Sequence, residues 1–254
     1  MTLIADFDAR AGSFPVSCRF DVGPGSAIAL IGTSGAGKTT VLRAIAGLLK
    51  PERGRIAFEE ELWFDAESGA WVSPQRRDCA MVFAEYALFG HMSVVENVAF
   101  GLRASGCPGR VAVRTATQAL DLVGVASLAP RKASSLSSGE AQRVAIARAL
   151  AMEPLVLLLD EPFSAIDVER RPPVRDSLQR RIAQAGIATV LVTHDPVEAM
   201  LFSDTIVVME AGAVVQRGTP AELRERPLTS YVAAFAGVNL YRGIARPLAD
   251  GVSE

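Results

Sequence analysis

The sequence predicts an α/β fold, and three observations support this prediction. Short apolar segments of strand length recur along the 254-residue chain. Helix-length segments separate several of these strands, and such alternation is typical of a parallel sheet with crossover helices. A glycine-rich segment at residues 32–40 also lies between an apolar strand and a helix. A chain of this length forms one large domain or two small ones and can bury a substantial core.

Composition and charge narrow the classes of function. Half of the residues are hydrophobic and the formal net charge is −2, so we expect no nucleic-acid partner on the basis of bulk charge. No apolar run approaches the roughly 20 residues that span a bilayer. The acidic start of the chain has no long apolar core, so we expect no signal peptide. Cys18, Cys79 and Cys107 are scattered, and we interpret them as reduced thiols of a cytosolic protein.

The first 31 residues predict a small antiparallel sheet that leads into the glycine-rich segment. Apolar and polar side chains alternate from Phe14 to Val22, as in a strand with one buried face. The apolar run Ser26–Ile31 predicts a buried strand.

Residues 32–40 match the pattern G-x-x-x-x-G-K-[ST] of the phosphate-binding loop, or P-loop. Glycines let backbone N–H groups approach a phosphate chain, and the N-terminus of the following helix favours an anion. Lys38 would reach the β- and γ-phosphates, and the Thr39 hydroxyl would bind Mg²⁺. A chance glycine-rich turn is the alternative. The predicted nucleotide-binding residues are Gly32, Thr33, Ser34, Gly35, Ala36, Gly37, Lys38, Thr39 and Thr40.

The middle of the chain changes from strand to helix character. From about residue 86 to residue 152 the apolar spacing becomes helical, which predicts a helical insertion in the α/β core. The predicted elements up to this insertion and within it are the helix Thr40–Leu49, which Pro51 ends, a hairpin at residues 54–65, the strand Cys79–Phe83 and the helices Val94–Ala104 and Val111–Val123.

Strand patterns return after the insertion. The segments Asp195–Glu198 and Thr219–Glu222 each contain a capping residue, a first-turn proline and a glutamate that could return the capping hydrogen bond, so each predicts a helix start. The predicted strands of this part are Leu155–Leu159, Ala188–Thr193, Thr205–Met209 and Ala213–Gln216.

Two further segments contain candidate functional residues. The apolar strand Leu155–Leu159 ends in Asp160 and Glu161, at the sheet edge where α/β folds bind ligands. Asp160 would hold Mg²⁺, directly or through water, and Glu161 would polarise the attacking water. An acidic strand-to-loop turn is the alternative. The segment Ser137–Glu140 opens a helix and is either a second anion site or an ordinary N-cap.

Together these residues resemble the ATP-binding cassette (ABC) ATPases, from the P-loop to about Asn239. The family signature L-S-G-G-Q is similar to Leu136–Glu140 here. The resemblance implies that ATP and Mg²⁺ are bound and that ATP is hydrolysed, with Glu161, His194 and Lys38 as catalytic residues. It also implies that ATP is contacted in trans by Ser137, Ser138, Gly139 and Glu140.

Other segments extend the resemblance. The family's D-loop is similar to Ser164–Asp167, and its switch histidine is similar to His194 at the end of an apolar strand. A structural histidine is the alternative for His194. The segment Tyr86–Val98 resembles the one that follows the Q-loop in bacterial importer ATPases, near the groove for a coupling helix of the membrane subunit. For Tyr86 and Phe89, core packing of a hairpin is the alternative.

The resemblance implies a fold and an assembly. The fold would be a P-loop NTPase core of the RecA-like type, with an N-terminal antiparallel β subdomain and an inserted α-helical subdomain. Residues 1–238 would form the nucleotide-binding domain, and residues 239–254 a C-terminal tail. Two subunits would pair head to tail, with ATP between the P-loop of one and the signature of the other. Integral membrane permease subunits, and indirectly a solute-binding protein, would be partners at the cytoplasmic side of the inner membrane.

One departure from the family concerns the Q-loop. A glutamine is expected after Val82-Phe83, and Ala84 stands there, followed by Glu85. Either Glu85 enters the site after a turn, or the contact is lost. Adjacent side chains of an extended segment point to opposite faces, so the first outcome needs a bulge or turn. We favour loss of the contact, because no glycine is present to ease such a turn.

The sequence departs from the family pattern at three further places. Ser138 replaces the first glycine of the signature, which predicts some loss of fit to phosphate. The family's adenine-stacking aromatic has no clear position, with Phe7 and Phe14 as candidates, although the alternation favours a core position for Phe14. The segment Gly237–Gly243 resembles the junction at which molybdate-type and similar anion importers begin a regulatory domain. Only eleven residues follow it, so we expect that domain to be absent or truncated.

Three functions are compatible with these features. The leading hypothesis is the ATPase subunit of an importer, for molybdate or a similar anion. A soluble ABC ATPase without a transporter is the first alternative, although such proteins typically contain two cassettes or a long coiled-coil insertion. A regulatory module with impaired ATPase activity is the second, suggested by Ala84 and Ser138.

Overall fold

A single mixed sheet of eleven strands organises the part of the chain that the computed structural model describes, residues 2–241. The strands are β1 (Leu3–Ala11), β2 (Phe14–Val22), β3 (Ala27–Gly32), β4 (Arg53–Phe58), β5 (Glu61–Asp65), β6 (Ala70–Trp71), β7 (Cys79–Val82), β8 (Val156–Asp160), β9 (Ala188–Val192), β10 (Thr205–Glu210) and β11 (Ala213–Gly218). The helices are α1 (Lys38–Ile45), α2 (Val94–Ala104), α3 (Gly109–Leu122), α4 (Ser138–Ala151), α5 (Arg171–Ala185), α6 (Pro196–Phe202), α7 (Pro220–Glu225) and α8 (Ser230–Phe235).

The sheet has an antiparallel part and a parallel part. Its strand order is β6-β5-β4-β1-β2-β11-β10-β3-β9-β8-β7. Strands β10, β3, β9, β8 and β7 run parallel, and β11 joins them to β2 through the pair Ala213 and Ser17. The predicted α/β class is confirmed. The predicted N-terminal antiparallel sheet is present, but it is continuous with the parallel core.

Burial explains the position of each strand. Every residue of β3, β8 and β9 is buried, as expected for central strands covered by helices on both faces. Along β1 and β2 buried residues alternate with exposed ones, because one face of this part packs on the core. The apolar patterns therefore distinguished the two kinds of strand correctly.

Between β7 and β8 the chain forms α2, α3 and α4, in the region where the helical insertion is predicted. Buried small and branched side chains from all three helices share one core cluster with β8. Helix α2 begins with a capping box, in which Ser93 accepts a hydrogen bond from Glu96 N–H and the Glu96 carboxylate accepts one from Ser93 N–H. In the described residues, no helix is long and apolar enough to cross a bilayer.

Two helix predictions need correction. The helix predicted at Thr40–Leu49 is α1, which begins at Lys38 and ends at Ile45, well before Pro51. Gly47 follows with a left-handed φ of 77°, so the chain leaves the helix before the proline is reached. At α6, Glu198 does not return the capping hydrogen bond to Asp195. It accepts instead from the Thr193 hydroxyl at 3.0 Å.

The C-terminal end of α1 is held by a buried arginine that the sequence did not indicate. The Arg77 guanidinium donates to the carbonyls of Ala44 and Ile45 at 3.0 and 2.6 Å. It also donates to the Trp63 carbonyl at 3.1 Å and lies 4.8 Å from the ring centre of Trp71. Arg77 therefore adds charged hydrogen bonds at the end of α1, where the Ala44 carbonyl also accepts from Gly47 N–H.

We expect Arg77→Ala to lower the free energy of unfolding by about 3 kcal/mol, because the hydrogen bonds of one buried guanidinium to several backbone carbonyls are lost at once. Arg77→Lys should restore little of this loss, since one ammonium cannot reproduce the planar fork of donors. Urea denaturation monitored by circular dichroism measures the change. Arg76→Ala, at the exposed neighbouring residue, is the matched control. Equal stability of the Arg77 and Arg76 variants would contradict this account.

Candidate nucleotide site

Four loops meet at the carboxyl-terminal edge of the parallel strands. The P-loop follows β3, Asp160 and Glu161 follow the apolar part of β8, the segment with His194 follows β9, and Ala84 with Glu85 follows β7. Most of these residues line one cleft of about 500 Å³. Ligands of open α/β sheets bind at this edge, so the topology itself places the predicted residues together.

The P-loop enters α1 through Gly37, the N-cap residue, which has a left-handed φ of 98°. A Cβ atom on Gly37 would lie 2.7 Å from Cγ2 of Val16 on β2, so only glycine fits here without displacement. The six residues from Ser34 to Thr39 line the cleft, as does Thr40. This arrangement is the one that the motif predicts for a phosphate cradle.

Lys38 is held at the base of the cradle. Its Nζ donates to the carbonyls of Gly32 and Thr33 at 2.8 and 2.9 Å. Burial lowers the pKa of Lys38, while the nearby carboxylates of Glu161 and Asp160 act in the opposite direction. The ammonium is therefore a positioned cation beside the phosphate cradle.

Thr39 and Asp160 form a pair of oxygen ligands. The Thr39 hydroxyl donates to Oδ2 of Asp160 at 2.9 Å. Burial is the main reason that the pKa of Asp160 is raised, and the hydrogen bond from Thr39 opposes the shift. A hydroxyl and a carboxylate fit Mg²⁺, which prefers oxygen ligands and keeps water and phosphate as the others. Within residues 2–241 no group of three or more His, Cys, Asp or Glu could hold a metal ion by itself.

Glu161 and His194 lie side by side. Nδ1 of His194 is 2.9 Å from Oε2 of Glu161, and the His194 side chain is 72% exposed. The hydrogen bond from His194 to Glu161, together with the carboxylate charge, raises the pKa of His194. Two of the side chains that the sequence analysis singled out as catalytic candidates are thus in contact.

The backbone of Glu161 is left-handed, with φ of 51°, which is uncommon for a residue with a Cβ atom. Its N–H donates to the Val192 carbonyl at 2.9 Å, and its carbonyl accepts from Nε2 of Gln142 at 2.6 Å and from the Ser164 hydroxyl at 3.0 Å. Surrounding hydrogen bonds hold this conformation, which turns the Glu161 side chain into the cleft.

The signature residues lie elsewhere. Ser137, Ser138, Gly139 and Glu140 line a second cavity of about 190 Å³, together with Asp167, and this cavity shares no lining residue with the P-loop cleft. Within one chain the structure therefore does not bring the signature to the P-loop. The N-cap alternative is confirmed, because Ser137 forms a capping box with Glu140. The second anion site stays a prediction, and Ser137 lines the cavity in which it would lie.

Residues 138 and 139 differ in the space available for a side chain. A Cβ atom on Gly139 would lie 2.7 Å from the Ala165 carbonyl oxygen, so this glycine allows close packing against the D-loop. Ser138, the first residue of α4, is exposed at the mouth of the second cavity. Serine in place of glycine at residue 138 is therefore accommodated at the surface of the single chain.

A turn does form after Phe83, although the sequence analysis judged it unfavourable without a glycine. Tyr86 N–H donates to the Phe83 carbonyl at 2.9 Å, and Tyr86 and Ala87 have positive φ values of 62° and 46°. Ala84 and Glu85 both line the cleft as a result. The chain makes this turn without glycine, because Arg148 of α4 donates to the carbonyls of Tyr86 and Ala87 at 2.9 and 2.7 Å.

The structure also places residues that the sequence analysis missed or misjudged. Phe7 is buried in the core, which excludes it from adenine stacking, whereas Phe14 is only partly buried and lines the cleft. Arg43 lines the cleft as well and opposes the raised pKa of Asp160. Its position four residues after Thr39 on one helix was a signal that could have found it.

Comparison with known proteins places the chain in a family. The profile of the ABC transporter family matches residues 17–164, more than half of the chain. A trehalose/maltose import ATP-binding protein of Thermococcus litoralis is 43% identical over 85% of this chain and 58% of its own length. A sulfate/thiosulfate import ATP-binding protein of Gloeobacter violaceus is 43% identical over 91% of this chain and 64% of its own length. The chain thus spans about three fifths of the length of these curated relatives.

A solved structure supports the same conclusion. The dimeric post-hydrolysis state of an ATP-binding cassette, bound to ADP and Pi, superposes with a TM-score of 0.75 at 26% identity, covering 86% of this chain and 98% of that one. The predicted fold class, a P-loop NTPase core with an antiparallel β part and helices between β7 and β8, is that of such a cassette. The chain belongs to the ABC transporter family.

Proposed function

We propose that this chain is the ATP-hydrolysing subunit of an ABC importer. The observation that supports this most strongly is the pairing of Glu161 with His194, 2.9 Å apart, beside a phosphate cradle that holds Lys38. The relatives are named as import ATP-binding proteins for trehalose/maltose and for sulfate/thiosulfate. ATP turnover by the purified chain tests the enzymatic part, and absence of turnover would favour a regulatory module instead.

The proposed reaction is attack of water on the γ-phosphate. The P-loop amides and Lys38 bind the phosphate chain and stabilise the charge that develops on it. Glu161 orients the water and takes its proton, which contributes about 10²–10⁴ in rate for a positioned base. Nδ1 of His194 lies within hydrogen-bonding distance of the Glu161 carboxylate and holds it in place. Thr39 and Asp160 would hold Mg²⁺, which supplies charge neutralisation on the phosphates.

The proposed active unit is a head-to-tail homodimer. Support comes from the separation of the signature cavity from the P-loop cleft, because Ser137–Glu140 can then contact ATP only from another subunit. The structural relative that binds ADP and Pi is described as dimeric. In this arrangement Asp167 of the D-loop would lie near the same interface.

The proposed partners are integral membrane permease subunits at the cytoplasmic face of the inner membrane, with a solute-binding protein acting indirectly. As cargo we propose molybdate or a similar anion, supported by the resemblance of Gly237–Gly243 to the junction in such importers. Residues 242–254, which include most of the predicted tail, lie outside the described residues. Co-purification with a permease, followed by uptake of molybdate against sulfate in vesicles, tests partner and cargo separately.

We expect Glu85→Ala to raise the Mg²⁺ concentration needed for half-maximal hydrolysis about threefold to tenfold. The reason is that Glu85 lines the same cleft as Thr39 and Asp160, where its charge helps to raise the pKa of Asp160 and would favour a cation. Glu52→Ala, which removes the exposed partner of Arg10, is the control. If Glu85→Ala changes neither rate nor Mg²⁺ dependence while Ala84→Gln raises the rate, the Q-loop contact is lost in this chain, as the sequence analysis favoured.

A further inference from the structure

Arg171, the first residue of α5, holds the backbone of the D-loop (Ser164–Asp167). Its Nε donates to the Ile166 carbonyl at 2.8 Å, and its Nη2 donates to the Ser164 carbonyl at 3.4 Å. The D-loop lies between the catalytic Glu161 and the signature helix α4. Nε and Nη2 of the guanidinium therefore both donate to the backbone of this loop.

The same guanidinium holds the loop that contains His194. Its Nη1 donates to the carboxylates of Asp195 and Glu198 at 3.2 and 3.0 Å. Glu198 also accepts from the Thr193 hydroxyl at 3.0 Å, and that hydroxyl accepts from Asp195 N–H at 3.1 Å. The residues on both sides of His194 thus belong to one network that ends on Arg171.

His194 has little packing of its own. Its side chain is 72% exposed, and its side-chain contact is the one with Glu161. The location of the imidazole therefore depends on the backbone of Thr193 and Asp195. Misplacement of a catalytic group by about 1 Å can cost on the order of 100-fold in rate, so what fixes this backbone matters for hydrolysis.

Charge makes the network dependent on Arg171. The Glu198 side chain is only 8% exposed, and Asp195 lies beside it on the same guanidinium nitrogen. Without the arginine, two neighbouring carboxylates would be left with no positive partner in this network, and a buried carboxylate without one is strongly unfavourable. The loop would then rearrange rather than stay in place.

We propose that Arg171 is a positioning residue for hydrolysis, which fixes His194 against Glu161 by joining the D-loop to the two carboxylates that follow the histidine. The inference rests on the proposed roles of Glu161 and His194. None of the residues that Arg171 contacts lines the P-loop cleft, so its removal should affect catalysis and leave ATP binding to the P-loop of the same chain nearly unchanged.

The test compares Arg171→Ala with Arg171→Lys and with Arg175→Ala as the matched control. Arg175 lies one turn further along α5 and pairs with Asp176 of its own helix. Arg171 and Arg175 line a common surface cavity, so the two variants change the same region. We expect Arg171→Ala to lower kcat about tenfold or more with KM for ATP within about twofold. Lysine keeps the charge but cannot span both loops, so Arg171→Lys should give an intermediate kcat. Arg175→Ala should match the wild type.

A second readout does not depend on turnover. The chain contains two histidines, so an imidazole NMR spectrum of the nucleotide-free protein contains one set of signals from His194 and one from His91. Arg171→Ala should shift the His194 signals and leave those of His91 in place. Unchanged His194 signals and kcat would overturn the inference, and so would a loss of kcat that accompanies shifts of both histidines and a lowered Tm. A wild-type protein without ATPase activity would overturn the proposed function instead, while the NMR comparison would still decide the positioning.

Discussion

Lys38→Ala is expected to abolish ATP hydrolysis, with a loss of about 100-fold or more, and to weaken ATP binding about tenfold. Lys38 is the cation that the P-loop carbonyls of Gly32 and Thr33 hold at the base of the cleft. Removal of one preorganised charged donor at a developing oxyanion typically costs about 10²–10³ in rate. Binding suffers as well, because the carboxylates of Asp160 and Glu161 then face the triphosphate without this compensating charge. Phosphate release and titration with ATP measure the two effects.

The control is Lys50→Ala, which removes an exposed lysine outside the cleft. The chain has only three lysines, so the comparison also tests whether loss of any lysine matters. Hydrolysis and ATP affinity should be unchanged in the control. Wild-type turnover in Lys38→Ala would remove the P-loop assignment, whatever the other residues of the cleft contribute.

Local chemistry explains why much of the site could be predicted from the sequence. The P-loop residues are contiguous, so their spacing alone defines the cradle around Lys38. Asp160 and Glu161 follow an apolar run, and the end of a parallel strand fixes the edge of the sheet at which they lie. His194 follows another such strand, so it lies at the same edge, but its contact with Glu161 was seen only in the structure.

What the sequence did not show depends on contacts between distant segments. Arg77 satisfies the end of α1 from 32 residues further along the chain, and nothing in the local pattern around it indicates a buried role. The turn after Phe83 was judged from its own residues, which contain no glycine, whereas Arg148 of α4 stabilises it from outside. The continuity of the predicted N-terminal antiparallel sheet with the parallel core was not visible in the sequence, because the linking strand β11 lies near the other end of the chain.

Glu161→Gln is expected to stop hydrolysis while ATP binding persists, and to trap the dimer with ATP bound. Glutamine has the same length and can still hydrogen-bond to His194, but its amide cannot accept a proton from water. Loss of a positioned base lowers the rate about 10²–10⁴-fold. The substitution also removes a negative charge beside the γ-phosphate, so the ATP-bound state should gain in stability. Size-exclusion chromatography with ATP and Mg²⁺ should show a stable dimer of the variant where the wild type dimerises transiently.

The matched control is Glu153→Gln, because Glu153 is also left-handed, with φ of 49°, and its carboxylate pairs with Arg181 away from the cleft. This control separates the loss of a base from the loss of any carboxylate at a strained backbone position. Its hydrolysis rate and elution should match those of the wild type. If Glu161→Gln binds ATP yet stays monomeric, head-to-tail pairing is wrong even if hydrolysis stops. If it hydrolyses ATP at the wild-type rate, another group takes the proton, and the close approach of His194 to Glu161 needs a different explanation.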